Sequence, residues 1–230
     1  MSPTLKLLSV SLIVTGMPLA WANGGGGMSM PSPSMSMQRE QTPQQKAREA
    51  YNDGVRYVKR ADKAQEAAST QTDAGKKDKA AHEAQESYAS ARAKFTEAVS
   101  LDPTLHEAWN YVGYTNRHLG NYDDALAAYD KALSLKPGYA DALEYRGEAY
   151  LGLSRVTDAQ QAYLDLYAGN RALAGKLLTA MKGWSAAQRT NSQSNGSVNL
   201  DELDKWIQER AQIAGQTAAL TREGTAASWR

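Results

Sequence analysis

The chain of 230 residues has no cysteine, three histidines and a single phenylalanine, and its charges nearly cancel. The absence of cysteine excludes disulfides, thiolate metal sites and cysteine nucleophiles. The 26 basic side chains are balanced by 25 acidic ones, whereas phosphate binding requires clustered, uncompensated lysine and arginine. The composition therefore argues against a nucleic-acid partner. Twelve tyrosines and five tryptophans remain as aromatic mass for a packed core.

Sequence signatures of catalysis are also missing. No HExxH, GxSxG, phosphate-binding loop or GxGxxG pattern occurs in the chain. The histidines are His82, His106 and His118, and the last two lie twelve residues apart, which fits neither a metal-ligand spacing nor one helical face. Because a site needs converging partners, we interpret them as single surface residues. The sequence predicts no enzyme activity, no catalytic or metal-binding residue in the helical region, and no cofactor.

The amino terminus has the pattern of a secretory signal peptide, residues 1–22. Lys6 precedes a largely apolar run from Leu7 to Leu19, and residues 20–22 form an A-x-A cleavage pattern. The run is shorter than the roughly 20 residues of a membrane span, which disfavours the alternative of an uncleaved anchor. We predict cleavage after residue 22, no stable membrane anchor afterwards, and export, with the bacterial periplasm as the first choice.

Residues 23–43 are rich in glycine, serine, methionine and proline. This composition cannot bury a core and predicts a disordered, flexible linker. Two Met-Ser-Met motifs, at residues 28–30 and 35–37, flank a Pro-Ser-Pro sequence. Thioether sulfur is a soft ligand that favours Cu(I), so a metal-handling accessory role for this segment is the alternative function. Against it, no histidine or cysteine lies nearby.

The stretch 106–139 contains two helical patterns joined by a tight turn. Its large, small and closing positions are spaced as W-x2-L-G, then A-x3-F, then P. The residues at these positions are Trp109, Val112, Gly113, Ala125, Tyr129, Ala132 and Pro137. The segment resembles a tetratricopeptide repeat, a helix–turn–helix unit with a period of 34 residues. The resemblance implies an all-α helical solenoid that binds a protein or peptide partner.

We interpret the segment 44–105 as a first, extended repeat. Its matches to the signature are Gly54, Ala91, Phe95, Ala98 and Pro103. The repeat unit within it, residues 47–105, has 59 residues and is 25 residues longer than the regular period, which predicts an elongated helical hairpin with an alanine-rich seam. Thr42 and Pro43 are suited to the start of its first helix, and Gly75 to the turn at its tip. A two-helix coiled coil is the alternative.

We interpret the segment 140–173 as a degenerate third repeat. Terminal repeats often depart from the signature in this way. It keeps Gly147, Tyr150, Ala159 and Tyr163 at signature positions, but Arg171 stands where proline would close the unit. The three repeats and the helix that follows them make up the helical region 44–189.

A capping helix pair is predicted after the third repeat. Asn170 can cap a helix that runs to about Arg189, and residues 190–199 form a polar loop. A second amphipathic helix spans 200–222, and residues 223–230 form a tail. The apolar side of this second helix, residues 200–222, comprises Leu203, Trp206, Ile207, Ile213 and Ala214.

In tetratricopeptide repeats the first helix of each pair lines the concave binding surface. That resemblance implies the following partner-binding residues in the second and third repeats: Glu107, Asn110, Tyr114, Arg117, His118, Asp141, Glu144 and Glu148. Some of these domains clamp a terminal carboxylate with lysine and asparagine, but Tyr51 and Val55 stand at those positions here. The acidic residues of the third repeat suit a segment that contains lysine or arginine. The alternative is a solvated polar face without a ligand.

These patterns together predict a non-catalytic, exported tetratricopeptide repeat adaptor or scaffold in the cell envelope. The sequence identifies neither its partner nor its oligomeric state.

Overall fold

A computed structural model of the chain describes residues 41–190 and 198–227, with side chains through residue 219. These residues form eight helices and no strand, which confirms the all-α solenoid prediction. The helices are α1 (Pro43–Thr70), α2 (Ala74–Leu101), α3 (His106–His118), α4 (Tyr122–Leu135), α5 (Ala140–Gly152), α6 (Val156–Gly169), α7 (Arg171–Thr190) and α8 (Leu200–Ala227). The predicted signal peptide and the methionine motifs lie outside the described residues.

The first helix pair is elongated, as predicted. Helices α1 and α2 have 28 residues each, whereas α3 to α6 have 13 or 14. At about 1.5 Å per residue, the first pair is about 42 Å long and the regular pairs are about 20 Å long. The seam between α1 and α2 buries Ala61, Ala64, Ala68 and Ala84. Such small side chains let two helix backbones approach closely.

Hydrogen bonds from side chains fix the ends of the long hairpin. Thr42 and Gln45 form a reciprocal capping box at the start of α1, which confirms Thr42 as the N-cap. The turn at the tip comprises residues 71–73, and Asp73 caps α2 by accepting a hydrogen bond from a backbone amide. Gly75 was expected in this turn but lies in the first turn of α2, because Asp73 already starts the helix there.

Glycines of the first helices pack against bulky side chains. A Cβ atom added to Gly54 would lie 2.7 Å from the ring of Phe95, and one added to Gly113 would lie 2.5 Å from the ring of Tyr129. In both pairs the glycine of the first helix contacts the aromatic residue of the second helix of the same repeat. The third pair differs, because Gly147 packs against Leu177 of α7 instead.

The turn after each regular first helix needs a left-handed backbone. Gly120 follows α3 with φ of 81°, and Ser154 follows α5 with φ of 58°. The two residues are separated by one repeat period of 34 residues. A glycine adopts this conformation without cost, whereas a serine does not. The degenerate third repeat therefore carries local backbone strain.

Helices α7 and α8 cover the end of the third repeat. Leu203 and Ile207 of α8 are buried in one cluster with residues of α6 and α7. Arg189 of α7 pairs with Asp201 at 2.7 Å and with Asp204 at 2.9 Å. Asn170 accepts a hydrogen bond from a backbone amide in the first turn of α7, which confirms it as the N-cap.

Ile213 corrects the predicted apolar side of α8, because it is 40% exposed. A helix turns by about 100° per residue, so Ile213 is rotated about 80° away from the stripe that Leu203 begins. Ala214 and Thr217 continue that stripe and are half-buried. None of the helices in the described part combines the length and the apolarity that a membrane crossing requires.

Candidate partner-binding face

The first helices of the pairs, α1, α3 and α5, share a surface that we call the A-helix face. Aromatic side chains connect these helices in sequence. Tyr51 of α1 meets Tyr111 of α3 with ring centroids 5.7 Å apart, and Tyr114 of α3 meets Tyr145 of α5 at 5.1 Å. Tyr111 and Tyr114 are themselves 6.0 Å apart. A continuous row of tyrosine rings therefore crosses the face.

Arg117 lies at the centre of this face. It forms an ion pair with Glu148 of α5 at 2.7 Å. Its guanidinium carbon lies 5.4 Å from the ring centre of Tyr114 and 5.6 Å from that of Tyr145. The face thus already holds one guanidinium group between tyrosine rings and a carboxylate, an arrangement that stabilises a desolvated cation.

His118 is enclosed by aromatic rings, which corrects its interpretation as a single surface residue. It stacks on Tyr88 of α2 with centroids 4.4 Å apart, and Tyr114 lies at the same distance on a tilted plane. Tyr88 belongs to α2, so the first helix pair supplies one wall of the enclosure. His106 is also half-buried, whereas His82 is exposed as expected.

The hydrogen bonds of His118 fix its tautomer. Nη2 of Arg117 is a donor that lies 3.2 Å from Nε2 of His118, so Nε2 must accept. The proton is therefore on Nδ1, which donates to Gln65 Oε1 at 3.1 Å. Burial, and next the charge of Arg117, lower the pKa of His118 to about 3. His118 is therefore a neutral, oriented part of the face at physiological pH.

Asp62 of α1 connects the long hairpin to α3. It accepts hydrogen bonds from the hydroxyl groups of Tyr88 at 2.7 Å and Tyr114 at 2.9 Å. Desolvation raises the pKa of both tyrosines, as does the nearby charge of Asp62. Sequence reasoning missed Asp62 and Gln65, because both lie in the insertion, where the repeat signature assigns no role.

Two of the predicted partner-binding residues are almost fully buried. Asn110 is 2% exposed and Glu144 is 5% exposed. The free surface that these two side chains offer is small, and their role in partner binding stays a prediction. Arg117, Tyr114 and Glu148 lie together as the resemblance implies, but Glu148 is already paired with Arg117.

The remaining predicted residues, Glu107 and Asp141, lie at the other end of the face. Glu107 is 3.1 Å from His106 Nδ1. Burial raises the pKa of Tyr139, and the charge of Asp141 raises it further. These carboxylates are half-buried and add negative charge beside the tyrosine row.

A cleft of about 550 Å³ opens where the face meets the long hairpin and α7. Alanines of α1, α2 and α7 line part of it, and Leu151 and Trp184 add larger apolar surface. Arg117, His118 and Glu148 supply its polar lining. Such a mixture of apolar surface and a few oriented polar groups is typical of ligand sites. Trp184 was not among the predicted partner-binding residues.

Within the described residues, no group of three or more acidic or histidine side chains could hold a metal ion. The methionine motifs of the alternative copper hypothesis, at residues 28–37, lie outside the described residues. That hypothesis therefore stays a sequence-based prediction.

Comparison with known families agrees with the repeat assignment. No curated protein matches the chain. The family model of the tetratricopeptide repeat matches residues 80–140 and 119–174. These matches include the end of the long hairpin and the two regular helix pairs that follow it. The family model thus supports tetratricopeptide repeats over residues 80–174 of the chain.

Proposed function

We propose that this chain is a non-catalytic adaptor that binds a segment of another protein on its A-helix face. The observation that carries this proposal is the cleft beside Trp184, because it joins apolar surface to the oriented polar groups of Arg117 and Glu148. Repeats of this class suggest a scaffold for protein–protein interaction. Burying an aromatic anchor in such a cleft is a common source of binding energy between proteins.

We also propose that the adaptor acts in the cell envelope after export. The support for this is the signal-peptide pattern of residues 1–22. Mass spectrometry of the chain recovered from the envelope fraction should give a mature amino terminus at Asn23. A chain recovered from the cytoplasm with residues 1–22 intact would overturn the proposed location without affecting the proposed binding.

Site-specific photocrosslinking tests the binding proposal. A photoreactive residue at Ala180, which lines the cleft, should give a defined crosslinked product in envelope preparations. Ala127, an exposed alanine of α4, is the matched control and should not give this product. Trp184→Ala should abolish the product from Ala180, because it removes the largest apolar side chain of the cleft. Equal products from Ala180 and Ala127 would contradict the proposal, as would crosslinking that persists in Trp184→Ala.

A further inference from the structure

A pocket of about 430 Å³ lies outside the A-helix face, between the turn that joins α5 to α6 and the start of α8. None of its lining residues lines the cleft beside Trp184. Its volume falls in the range of about 300–1,000 Å³ that is typical of small-molecule sites. The proposed adaptor function assigns no role to this pocket.

An aromatic ring forms part of the pocket lining. Trp206 of α8 meets the ring of Tyr163 edge-on with centroids 5.3 Å apart, and the guanidinium carbon of Arg210 lies 5.6 Å from the ring centre of Trp206. These contacts hold the indole in place, and the residue is only half-buried. Together with Val156 and Leu203, it gives the pocket a fixed apolar surface.

The polar part of the lining carries both donors and acceptors of hydrogen bonds. Hydroxyl, amide and carboxylate groups come from Ser154, Thr157, Gln160 and Glu202. Within the described part of the chain, these side chains form no hydrogen bond to another residue, so water hydrates them in the free protein. Asn199 accepts a hydrogen bond from a backbone amide with Oδ1, which leaves its NH2 group as a donor. A ligand that replaces this water must offer several donors and acceptors of its own.

The charges of the pocket favour a neutral ligand. The guanidinium of Arg155 donates a hydrogen bond to the carboxylate of Asp158 at 2.7 Å, so these two charges compensate each other. Glu202 is exposed and adds one further carboxylate, which disfavours an anion. A single exposed carboxylate also gives a cation little binding energy. Neither kind of ion therefore finds converging charges of the opposite sign here.

Backbone strain at Ser154 is a second observation at the same pocket. Ser154 has φ of 58° and occupies the repeat position at which Gly120 makes the preceding turn. A glycine would adopt this conformation without strain. Strained residues concentrate at functional sites, so such an outlier points to a role of the side chain. The hydroxyl group, which glycine lacks, lines the pocket as part of Ser154.

We propose that this pocket binds a neutral saccharide. A sugar ring has apolar C–H groups on its faces and a rim of hydroxyl groups that both donate and accept hydrogen bonds. The apolar face packs against the exposed part of the Trp206 indole, and the hydroxyl groups replace the water on Ser154 and Gln160. Because the site is separate from the A-helix face, the inference goes beyond the proposed adaptor function and does not depend on it.

Isothermal titration calorimetry of the full-length chain tests the inference, with neutral trisaccharides of glucose, galactose, mannose and N-acetylglucosamine as probes. At least one of them should bind with a dissociation constant below about 1 mM. Gln160→Ala should weaken that binding by about 3–10-fold, as expected for the loss of one hydrogen bond. Gln161→Ala, at the adjacent exposed position of α6, is the matched control and should bind like the wild type.

Ser154→Gly separates binding from stability. This variant should bind the saccharide about 3–10-fold more weakly, because it lacks the hydroxyl group. The same change relieves the left-handed conformation and should raise the unfolding temperature, so a loss of affinity does not reflect a damaged fold. Unchanged affinity in both Ser154→Gly and Gln160→Ala would overturn the inference.

Tryptophan fluorescence locates the bound saccharide. Its addition should change the emission of the wild type and of Trp184→Phe. Trp206→Phe, which keeps an aromatic ring against Tyr163, should lose this change, and a change that persists in Trp206→Phe would overturn the inference. So would a failure of every neutral trisaccharide to bind, or tighter binding of a trisaccharide of galacturonic acid, which carries carboxylates. These outcomes leave the adaptor function standing, because its test lies at the cleft beside Trp184.

Discussion

The contact between Gly113 and Tyr129 gives the sharpest test of the repeat packing. A Cβ atom at Gly113 would lie 2.5, 2.7 and 2.8 Å from three ring atoms of Tyr129. Carbon atoms in van der Waals contact are separated by about 3.5–4.0 Å, so the ring or the helix must move by about 1 Å. Tyr129 is fully buried, and its ring therefore cannot turn out into solvent.

The expected change in the free energy of unfolding of Gly113→Ala is the difference between two opposing effects. Alanine is favoured over glycine in a helix interior by about 1 kcal/mol, whereas overpacking costs about 1–3 kcal/mol. Gly175→Ala on α7 isolates the first effect, because no atom lies within 4 Å of the added Cβ. Gly113→Ala should therefore be about 1–3 kcal/mol less stable than Gly175→Ala. Gly113→Leu adds further atoms and should be less stable than Gly113→Ala.

Thermal unfolding followed by circular dichroism measures this difference. At about 2–4 °C per kcal/mol for a chain of this size, Gly113→Ala should unfold about 2–12 °C below Gly175→Ala. The penalty should shrink in a Tyr129→Leu background, since the two residues then no longer collide. If Gly113→Ala proved as stable as Gly175→Ala, or if its penalty were unchanged by Tyr129→Leu, the assigned register of α3 against α4 would be wrong.

Three further predictions concern the turns and the long hairpin. Ser154→Gly should raise the unfolding temperature, because it relieves a left-handed conformation that costs about 1 kcal/mol; an unchanged or lower value would contradict the strain. Burial depresses the pKa of His118 from 6.5 to about 3, so its contribution to stability is full above pH 6.5 and is lost as the pH falls toward 3. Urea unfolding at pH 7 and pH 4 should show this loss in the wild type and not in His118→Gln. Replacing residues 61–86 by a short turn should return the pKa of His118 toward 6.5 in an NMR titration, and a pKa that stayed near 3 would refute the enclosing role of the hairpin.

The repeat architecture was predictable because it depends on local spacing. The positions of Trp109, Gly113 and Ala125 set which side of each helix is apolar, and a helix turns by a constant angle per residue. The same reasoning correctly gave the elongated first pair and the caps at Thr42 and Asn170. These features depend on residues within one repeat and not on how neighbouring repeats pack against each other.

The details of the A-helix face depend on contacts between repeats, which local spacing does not determine. Asn110 and Glu144 occupy positions where a single repeat would expose its side chains, but both are almost fully buried. Glu148 was expected to be free for a partner, yet Arg117 of the preceding repeat reaches it. Gly147 packs against the helix that follows the repeat rather than against its own second helix. The sequence carries no short-range pattern for any of these pairings.

The insertion in the first repeat contributes directly to the candidate site. A hairpin of regular length, about 20 Å, would end before Asp62 and Gln65 and would leave the end of α3 exposed. The added length instead places both side chains beside Tyr114 and His118, where their hydrogen bonds orient the rings. The same extension provides the alanine-lined wall of the cleft opposite Trp184. Because a tetratricopeptide repeat of regular length lacks this wall, the selectivity of the proposed adaptor for its partner should depend on the hairpin as well as on the repeat signature.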